Sequence, residues 1–325
     1  MKDLSSNMIE AVKKAFSEAN IDLFIGYENG TLPLCTTPIF VAKPDQTKNL
    51  VWNSFCTNNL AVYLPNIINA KNRKFKKVGI LCRGCDSRSV VGLIREKQIK
   101  REDVFILGMA CPGMVNVHQL MKEIGDEEIS GVSEDKDSII VDLKGGQKKF
   151  PCGKYLYQCC SYCNHPKPLL YDVLLGDADM KQAAASLDSA ENVREQTRQE
   201  RWQAFERAMS KCIRCYACRN ACPNCYCKEC FAEQTKPKWL SVAADKSDVM
   251  FYHIGRIFHQ AGRCVDCGAC VRACPMDIDL RQFTHFLVDE VKQRYGYEPG
   301  LALEEPTLLG VFEADDKQEF MTEPE

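Results

Sequence analysis

The chain has 325 residues, enough for two domains, and its hydrophobic and charged fractions of 45% and 26% are those of an ordinary globular protein. A formal net charge of −2 gives no indication of nucleic-acid binding or of a polybasic membrane anchor. No apolar run approaches the roughly 18 residues that a transmembrane segment needs. The first residues predict an amphipathic helix with Met8, Val12 and Phe16 on one side rather than a secretion signal, so we expect a cytoplasmic protein.

Residues 1 to 180 show the pattern of an α/β domain. The apolar run Lys77–Cys82 predicts a buried strand, and Val104–Met109 predicts a second one. Between them lie a glycine turn and a helical pattern at Ser87–Lys97. A strand, a helix and a strand in this order predict a β-α-β unit and therefore a largely parallel sheet. Ile139–Leu143, followed by two glycines, predicts a hairpin edge.

The composition changes abruptly near residue 181. The stretch Lys181–Lys211 contains neither glycine nor proline and is rich in alanine, glutamate, glutamine and arginine, which favours a helix. Further helices are predicted at Ser247–Ala261 and Asp279–Arg294. These changes divide the chain into an α/β domain at 1–180, a helical linker at 181–211, a mainly helical cysteine-rich domain at 212–297 and an acidic extended tail at 298–325.

The unusual feature of the composition is its 20 cysteines. Cytosolic thiols stay reduced, so many thiols at short, regular spacings predict metal binding rather than disulfides. One motif, C-x-x-C-x-x-C-x-x-x-C-P, occurs twice. Its cysteines are Cys212, Cys215, Cys218 and Cys222 in the first copy, and Cys264, Cys267, Cys270 and Cys274 in the second.

This repeated motif predicts two [4Fe–4S] clusters, because three thiolates two residues apart can bind three corners of a cubane and the fourth cysteine ligates the other cluster. The predicted ligand sets are Cys212, Cys215, Cys218 and Cys274 for one cluster, and Cys264, Cys267, Cys270 and Cys222 for the other. Two structural zinc sites in a scaffold protein are the alternative, but they leave the middle cysteine of each triplet without a role. With helices between and after the motifs, the region resembles the α-helical dicluster ferredoxins of succinate dehydrogenase and heterodisulfide reductase subunits.

Three further cysteines, Cys225, Cys227 and Cys230, follow the first motif and are not part of its pattern. Either they ligate an additional cluster or a zinc ion, or they are unligated residues near the predicted clusters. The spacing alone leaves both alternatives open.

The α/β domain carries cysteines of its own. Cys82 ends the first predicted strand and Cys111 follows the second, and the carboxyl ends of parallel strands share the edge at which α/β folds bind ligands. Cys85 follows Cys82 closely, and the segment Cys159–Cys163 can close the same site from a loop. The sequence does not decide whether Cys152 and Cys159 ligate a second cluster in this domain.

A family resemblance rests on two runs, GILCRGCDSRSVVGLIREKQIKREDVFILGMACPGM and CCSYCNHPKPLLYDVLLGD. They resemble the β-subunit family of hydrogenases and formate dehydrogenases that use the deazaflavin coenzyme F420. In that family two strands ending in cysteine and a later C-x-x-C hold one [4Fe–4S] cluster. The resemblance implies Cys82, Cys111, Cys160 and Cys163 as ligands of a third cluster, and Cys85 competes for one of these places.

The resemblance implies an iron–sulfur electron-transfer subunit of an anaerobic oxidoreductase complex, with hydrogenase, formate dehydrogenase or heterodisulfide-reductase-like partner subunits. Family members also hold FAD, but their glycine-rich phosphate-binding segment is not evident in the corresponding region NLVWNSFCTNNLAVYLPN. The alternative is an FAD-containing catalytic subunit that exchanges electrons between a deazaflavin or nicotinamide coenzyme and the clusters. Neither a catalytic residue nor a flavin site is identified.

Other residues of interest receive structural interpretations. Cys35 and Cys56 lie in apolar surroundings, which predicts buried small hydrophobic residues. Asp86 is predicted to cap the helix that follows Cys85. Three histidines lack a partner at a metal-binding spacing and are interpreted as structural: His165, His253 and His259.

Overall fold

The computed structural model of the chain describes residues 2–135, 137–176, 193–243 and 245–310. These residues form eight strands, which are β1 (Leu23–Asn29), β2 (Thr36–Val41), β3 (Val78–Cys82), β4 (Val104–Met109), β5 (Ile129–Asp135), β6 (Ser138–Leu143), β7 (Gly146–Pro151) and β8 (Val173–Leu175). The helices include α1 (Lys2–Glu18), α2 (Leu64–Ile68), α3 (Gly84–Arg95), α4 (Val117–Ile124), α5 (Gln158–Ser161), α6 (Arg198–Met209), α7 (Ala217–Asn220), α8 (Lys246–His259), α9 (Ala269–Arg272) and α10 (Arg281–Tyr295).

The main sheet has the strand order β2-β1-β3-β4-β8. Strands β1, β3, β4 and β8 run parallel, and only the edge pair β1–β2 is antiparallel. Every residue of β3 and β4 is buried. Such continuous apolar strands are typical of parallel sheets covered on both faces. The predicted α/β class, both strands and the helix between them are confirmed.

Helices α1 and α3 bury apolar side chains in the same core as the main sheet. Met8 and Val12 of α1 are fully buried there, as are Val90 and Leu93 of α3. Each fully buried side chain of this size contributes about 1.5–3 kcal/mol to folding. This core fixes α3 against the sheet, so that the helix begins just beyond the carboxyl end of β3.

The predicted hairpin is present as β6 and β7, but it belongs to a second sheet of order β5-β6-β7 and not to an edge of the main sheet. Alternate residues of β6 are buried, because one face of this sheet packs on α4 through Ile139 and Val141. Strand β8 pairs with β4 at the main sheet's edge.

Helix α3 begins at a close contact between two segments. A Cβ at Gly84 would lie 1.8 Å from the carbonyl oxygen of His165, so only glycine fits here. Asp86 Oδ2 accepts hydrogen bonds from the backbone N–H of Arg83, at 3.0 Å, and from its Nε, at 2.8 Å. The predicted capping role of Asp86 is therefore confirmed, and the loop around His165 lies directly on the start of α3.

The C-terminal helices α6, α8 and α10 surround a smaller apolar core that includes Phe205, Val249 and Leu280. The predicted helix over 181–211 lies partly outside the described residues. Its described part yields α6, which begins at a capping box between Thr197 and Glu200. Short helices α7 and α9 lie inside the two cysteine motifs and contact each other.

The described part of the acidic tail returns to the α/β region. Nε and a terminal nitrogen of Arg88 donate to the carbonyl oxygen of Pro299 at 3.0 and 2.7 Å. Gly300 approaches the backbone of Arg88 so closely that a Cβ would clash with it. Residues 311–325 lie outside the described part. No helix among the described residues is long and apolar enough to cross a membrane.

Candidate metal centres

The two cysteine motifs share one backbone conformation. Arg214 and Tyr216 have φ values of 51° and 60° in the first motif, and Asp266 and Gly268 have φ values of 56° and 72° in the second. These left-handed residues flank the middle cysteine of the triplet in each motif. Because each one reverses the chain direction locally, the cysteines of a triplet can face a common centre.

The four thiols predicted for the first cluster lie together. Burial raises the pKa of the Cys212 thiol, and the nearby thiols of Cys218, Cys274 and Cys215 raise it further. His253 Nε2 lies 3.3 Å from Cys212 Sγ. The structure therefore places Cys274, from the second motif, with the triplet of the first.

The second predicted set shows the reciprocal exchange. Burial raises the pKa of the Cys264 thiol well above its usual range, and Asp266, Cys270, Cys222 and Cys267 raise it further. Cys222 thus leaves its own triplet and joins that of the second motif. This crossed arrangement is the one that paired cluster motifs require.

Arg256 of α8 lies between the two sets. It is 4% exposed, and one of its terminal nitrogens donates to the carbonyl oxygen of Cys218 at 3.1 Å. Burial alone would lower the pKa of this guanidinium, but Cys222, Cys270 and other nearby thiols hold it well above the usual value. Arg256 could not be predicted from the sequence, because a lone arginine on an amphipathic helix is usually solvent-exposed.

A cavity of about 370 Å³, here called the edge cavity, lies beyond the carboxyl ends of β3 and β4. Six cysteines line it: Cys85, Cys111, Cys159, Cys160, Cys163 and Cys267. Burial raises the pKa of Cys85, and Asp86, Cys267 and Cys111 raise it further. Burial also raises the pKa of Cys111 to about 11, with a further contribution from Cys163.

Cys82 is separate from this group. Its side chain is fully buried in the apolar core of the main sheet, on the same face of β3 as Val78 and Ile80. Burial raises the pKa of the Cys82 thiol, and the charges acting on it are those of Asp86, Arg83 and Asp172 rather than of another cysteine. The structure therefore brings together Cys111, Cys160 and Cys163 of the implied set, and Cys85 in place of Cys82.

The edge cavity adjoins the second cysteine set. Cys267 belongs to that set and also lines the cavity. A terminal nitrogen of Arg272 donates to the carbonyl oxygen of Cys267 at 2.8 Å and lies 3.8 Å from Cys159 Sγ. Cys159 Sγ in turn lies 3.9 Å from Cys160 Sγ. The N-terminal and C-terminal thiols thus form one continuous series.

A further cavity of about 360 Å³, here called the outer cavity, follows the first motif. Cys222, Cys225, Cys227 and Cys230 line it. In the described part of the chain, no three cysteine, histidine or carboxylate side chains converge as the ligands of a single metal ion would. A cubane differs from one ion in this respect, because it holds its cysteines at separate corners.

The remaining cysteines lie outside these two cavities, whereas His165 lines the edge cavity and His259 lines the outer one. Cys56 is buried as predicted, but the prediction for Cys35 is wrong: it is exposed, because it lies in the turn before the edge strand β2. Cys152 packs against the core of the second sheet. His165 Nε2 lies 2.6 Å from Glu298 Oε1, in agreement with a structural role.

The donors and acceptors around the cysteines fit iron–sulfur clusters. Buried nitrogens of three side chains near the thiols have no hydrogen-bond partner among the described residues: Nε and a terminal nitrogen of Arg256, a terminal nitrogen of Arg272, and Nδ1 of His253. A buried N–H without an acceptor is costly, and the sulfur atoms of a cluster can accept such bonds. Thiols grouped beside unpaired donors are the environment that a cluster needs.

Comparisons with known proteins agree with this geometry. Residues 208–278 match the model of the 4Fe-4S dicluster domain family. The chain is 25% identical over 305 residues to the F420-dependent formate dehydrogenase subunit beta of Methanocaldococcus jannaschii, covering 74% of this chain and 78% of that one. It is also 25% identical over 295 residues to the F420-dependent formate dehydrogenase 1 subunit beta of Methanococcus maripaludis, covering 72% and 76%.

A chain in a solved structure of the F420-reducing [NiFe] hydrogenase complex from Methanosarcina barkeri is 17% identical, with a TM-score of 0.39, over 49% of this chain and 58% of that one. The resemblance predicted from the sequence is confirmed, since this chain is similar to the β subunits of F420-dependent formate dehydrogenases and its C-terminal region matches a 4Fe-4S dicluster domain.

Proposed function

We propose that this chain is an iron–sulfur electron-transfer subunit of an oxidoreductase complex, which relays single electrons between the redox sites of its partner subunits. The dicluster match and the similarity to formate dehydrogenase β subunits support the proposal. The partners that these relatives indicate are formate dehydrogenase subunits or the related hydrogenase or heterodisulfide-reductase-like subunits.

Three [4Fe–4S] clusters are proposed. Two are held in the C-terminal region by the crossed sets Cys212, Cys215, Cys218 and Cys274, and Cys264, Cys267, Cys270 and Cys222. The third is held in the edge cavity by Cys85, Cys111, Cys160 and Cys163. Cys85 takes the place that the resemblance gives to Cys82, because Cys85 lines the cavity and Cys82 is buried in the core.

The observation that carries the proposal is the continuity of the three thiol groups. Cys267 connects the edge cavity with the second set, and Arg256 lies between the second set and the first. A relay needs its redox groups in series within one protein body, and this arrangement provides such a series. An isolated structural metal site would not require it.

The chain's own residues prepare these sites for charged groups. Bound [4Fe–4S] clusters accept and release one electron at a time. The Cys85 and Cys264 side chains are partly buried, which limits the access of water to their thiols. Arg256 and Arg272 place positive charge and N–H donors beside the thiols and so compensate for the negative charge of thiolates.

The proposal includes the four parts of the chain that the sequence predicts: the α/β domain at 1–180, the helical linker at 181–211, the cysteine-rich domain at 212–297 and the acidic tail at 298–325. It places the protein in the cytoplasm of an anaerobic organism, where thiols stay reduced and clusters persist. The described tail packs on α3, so its first residues belong structurally with the α/β domain.

An FAD-containing catalytic subunit is the second candidate, favoured by the F420-dependent activity named for the relatives. A flavin pyrophosphate needs N–H donors. In the segment that lacks glycine, the backbone presents acceptors instead. The guanidinium of Arg83 donates hydrogen bonds to the carbonyl oxygens of Cys56 and Asn58. Because Asp86 and these carbonyl oxygens already accept its N–H groups, Arg83 is not free to bind a pyrophosphate at that place, which favours the relay over the flavin enzyme.

The test is iron, sulfide, zinc and flavin analysis of the full chain purified without oxygen. We expect at least about 12 irons and an equal amount of sulfide per chain, without stoichiometric flavin. The variant Cys111→Ser should lose about four irons, because it removes a ligand of one cluster.

The matched control is Cys82→Ser, which changes a cysteine at the end of the neighbouring strand and should retain all the iron. If C82S loses iron and C111S does not, the proposed ligand set is wrong. Stoichiometric FAD would support the catalytic alternative, and zinc in place of iron would overturn both.

A further inference from the structure

The outer cavity contains thiols that the proposed three-cluster relay does not use. Cys225, Cys227 and Cys230 line it together with Cys222, which is already assigned to the second set. Its volume of about 360 Å³ is close to that of the edge cavity, about 370 Å³. Among the described residues, the outer cavity and the edge cavity are thus two cysteine-lined cavities of similar size, and the edge cavity alone has a proposed occupant.

The three thiols lie along different parts of the cavity wall. Cys225 Sγ accepts a hydrogen bond from Gln260 Nε2 of the α8 C-terminus at 3.5 Å. Cys230 lies beside Arg219, and Cys227 lies beside Arg263. Thiols separated in this way around a large space suit a centre of several metal atoms better than a single ion, whose ligands must converge at about 2.3 Å.

The lining of the outer cavity includes four cationic side chains: Arg219, Arg256, Arg263 and Lys228. Arg263 pairs with Glu96 and Arg219 with Glu233, each at 2.8 Å, but one terminal nitrogen of Arg219 has no partner among the described residues. Arg256 is nine-tenths buried, and its Nε and one terminal nitrogen lack a partner within the described residues. Buried guanidinium groups without acceptors are destabilising unless an anionic group lies nearby.

These observations do not suit three unligated thiols. Protonated cysteines are neutral and weak acceptors, so they would leave the unpaired nitrogens of Arg219 and Arg256 without a good acceptor. A cluster with thiolate ligands supplies both the negative charge and the sulfur acceptors that the wall lacks.

We propose that the outer cavity holds a further [4Fe–4S] cluster, ligated by Cys225, Cys227 and Cys230. The fourth iron takes a ligand other than cysteine, and His259 lines the same cavity. This site goes beyond the proposed function, which needs three clusters. Because Cys227 is exposed, one ligand of the additional cluster lies at the protein surface.

The test uses the full chain purified without oxygen, labelled with ⁵⁷Fe. Mössbauer spectroscopy of the wild type should count about 16 irons in [4Fe–4S] clusters, with no zinc. The variants Cys227→Ser and Cys230→Ser should each retain about 12. The matched control Cys35→Ser, which replaces an exposed cysteine that lines neither cavity, should retain about 16.

If a variant fails to fold, the number of irons per chain in the wild type still tests the proposal. About 12 irons in the wild type, unchanged in C227S and C230S, would overturn the additional cluster and leave the three-cluster relay intact. One zinc per chain, lost in these two variants, would overturn it as well. The relay itself is tested separately, by the four irons that C111S loses.

Discussion

The α/β region and the helical region of this chain differ in what fills their interiors. The core of the main sheet contains 29 buried residues, nearly all apolar, whereas the C-terminal core contains eight in the described structure, and Cys218 is one of them. Cys212, Cys270 and Cys274 pack against that small core. One region is therefore built on apolar burial, and the other on a few apolar contacts around thiols.

This difference indicates how each region is stabilised. A large apolar core supports a domain without help, whereas small cores need disulfides or metals. Metal binding to thiolates is then part of the folding free energy. We infer that the helical region depends on its clusters for stability and that the sheet does not.

The largest effect is expected on removal of iron. Oxidative chelation of the clusters should abolish amide hydrogen-exchange protection in α8 and α10, because their small core cannot hold them alone. Strands β3 and β4 should keep their protection. Equal loss of protection in both regions, measured by mass spectrometry on the same sample, would contradict the comparison.

A smaller effect, confined to the sheet region, is expected from Asp86→Ala. This change leaves Arg83 buried without its partner, and breaking a buried ion pair costs about 3–5 kcal/mol. The exchange of β3 amides should accelerate accordingly, while α10 stays unchanged. The control is Glu10→Gln, which removes an exposed pair with Lys14 and should cost less than about 0.5 kcal/mol.

The smallest effect concerns the contact between the tail and the α/β region. The hydrogen bond from His165, together with Arg88 and Lys292, lowers the pKa of Glu298 to about 2. Glu298→Gln should weaken the packing of the tail on the α/β region by about 1 kcal/mol at neutral pH. The change should be measurable as faster amide exchange in residues 298–308.

The pH dependence of that contact follows from the direction of the shift. Because the folded pKa lies below the ordinary value of 4.5, the stabilisation is fully present above about pH 4.5 and is lost as the pH falls towards 2. The part of the difference between wild type and E298Q that comes from the Glu298 charge should thus shrink below about pH 4.5. Glu305→Gln is the control, since Glu305 is half exposed and 3.9 Å from Arg95.

Much of the fold could be predicted because its signals are local. Strands β3 and β4 are continuous apolar runs, and α1 and α3 have the periodicity of half-buried helices. The partner of the β6–β7 hairpin could not be predicted. Alternation shows that one face of a sheet is buried, but not what covers it.

The candidate sites likewise have one part that local sequence predicts and another that depends on tertiary packing. The crossed cysteine sets follow from spacing, which is local, and from the known exchange between paired motifs. The choice between Cys82 and Cys85 is not local. It depends on which face of β3 meets the core and on where the first turn of α3 lies, and both are set by tertiary packing. Arg272, which connects the two regions, gave no sequence signal for the same reason.

Arg256 lies between the two proposed cluster sites, and each of them would become more negative on reduction. An arginine keeps its positive charge at every physiological pH, so it would stabilise the reduced state of either cluster. One buried side chain would thereby raise the midpoint potentials of both proposed clusters together.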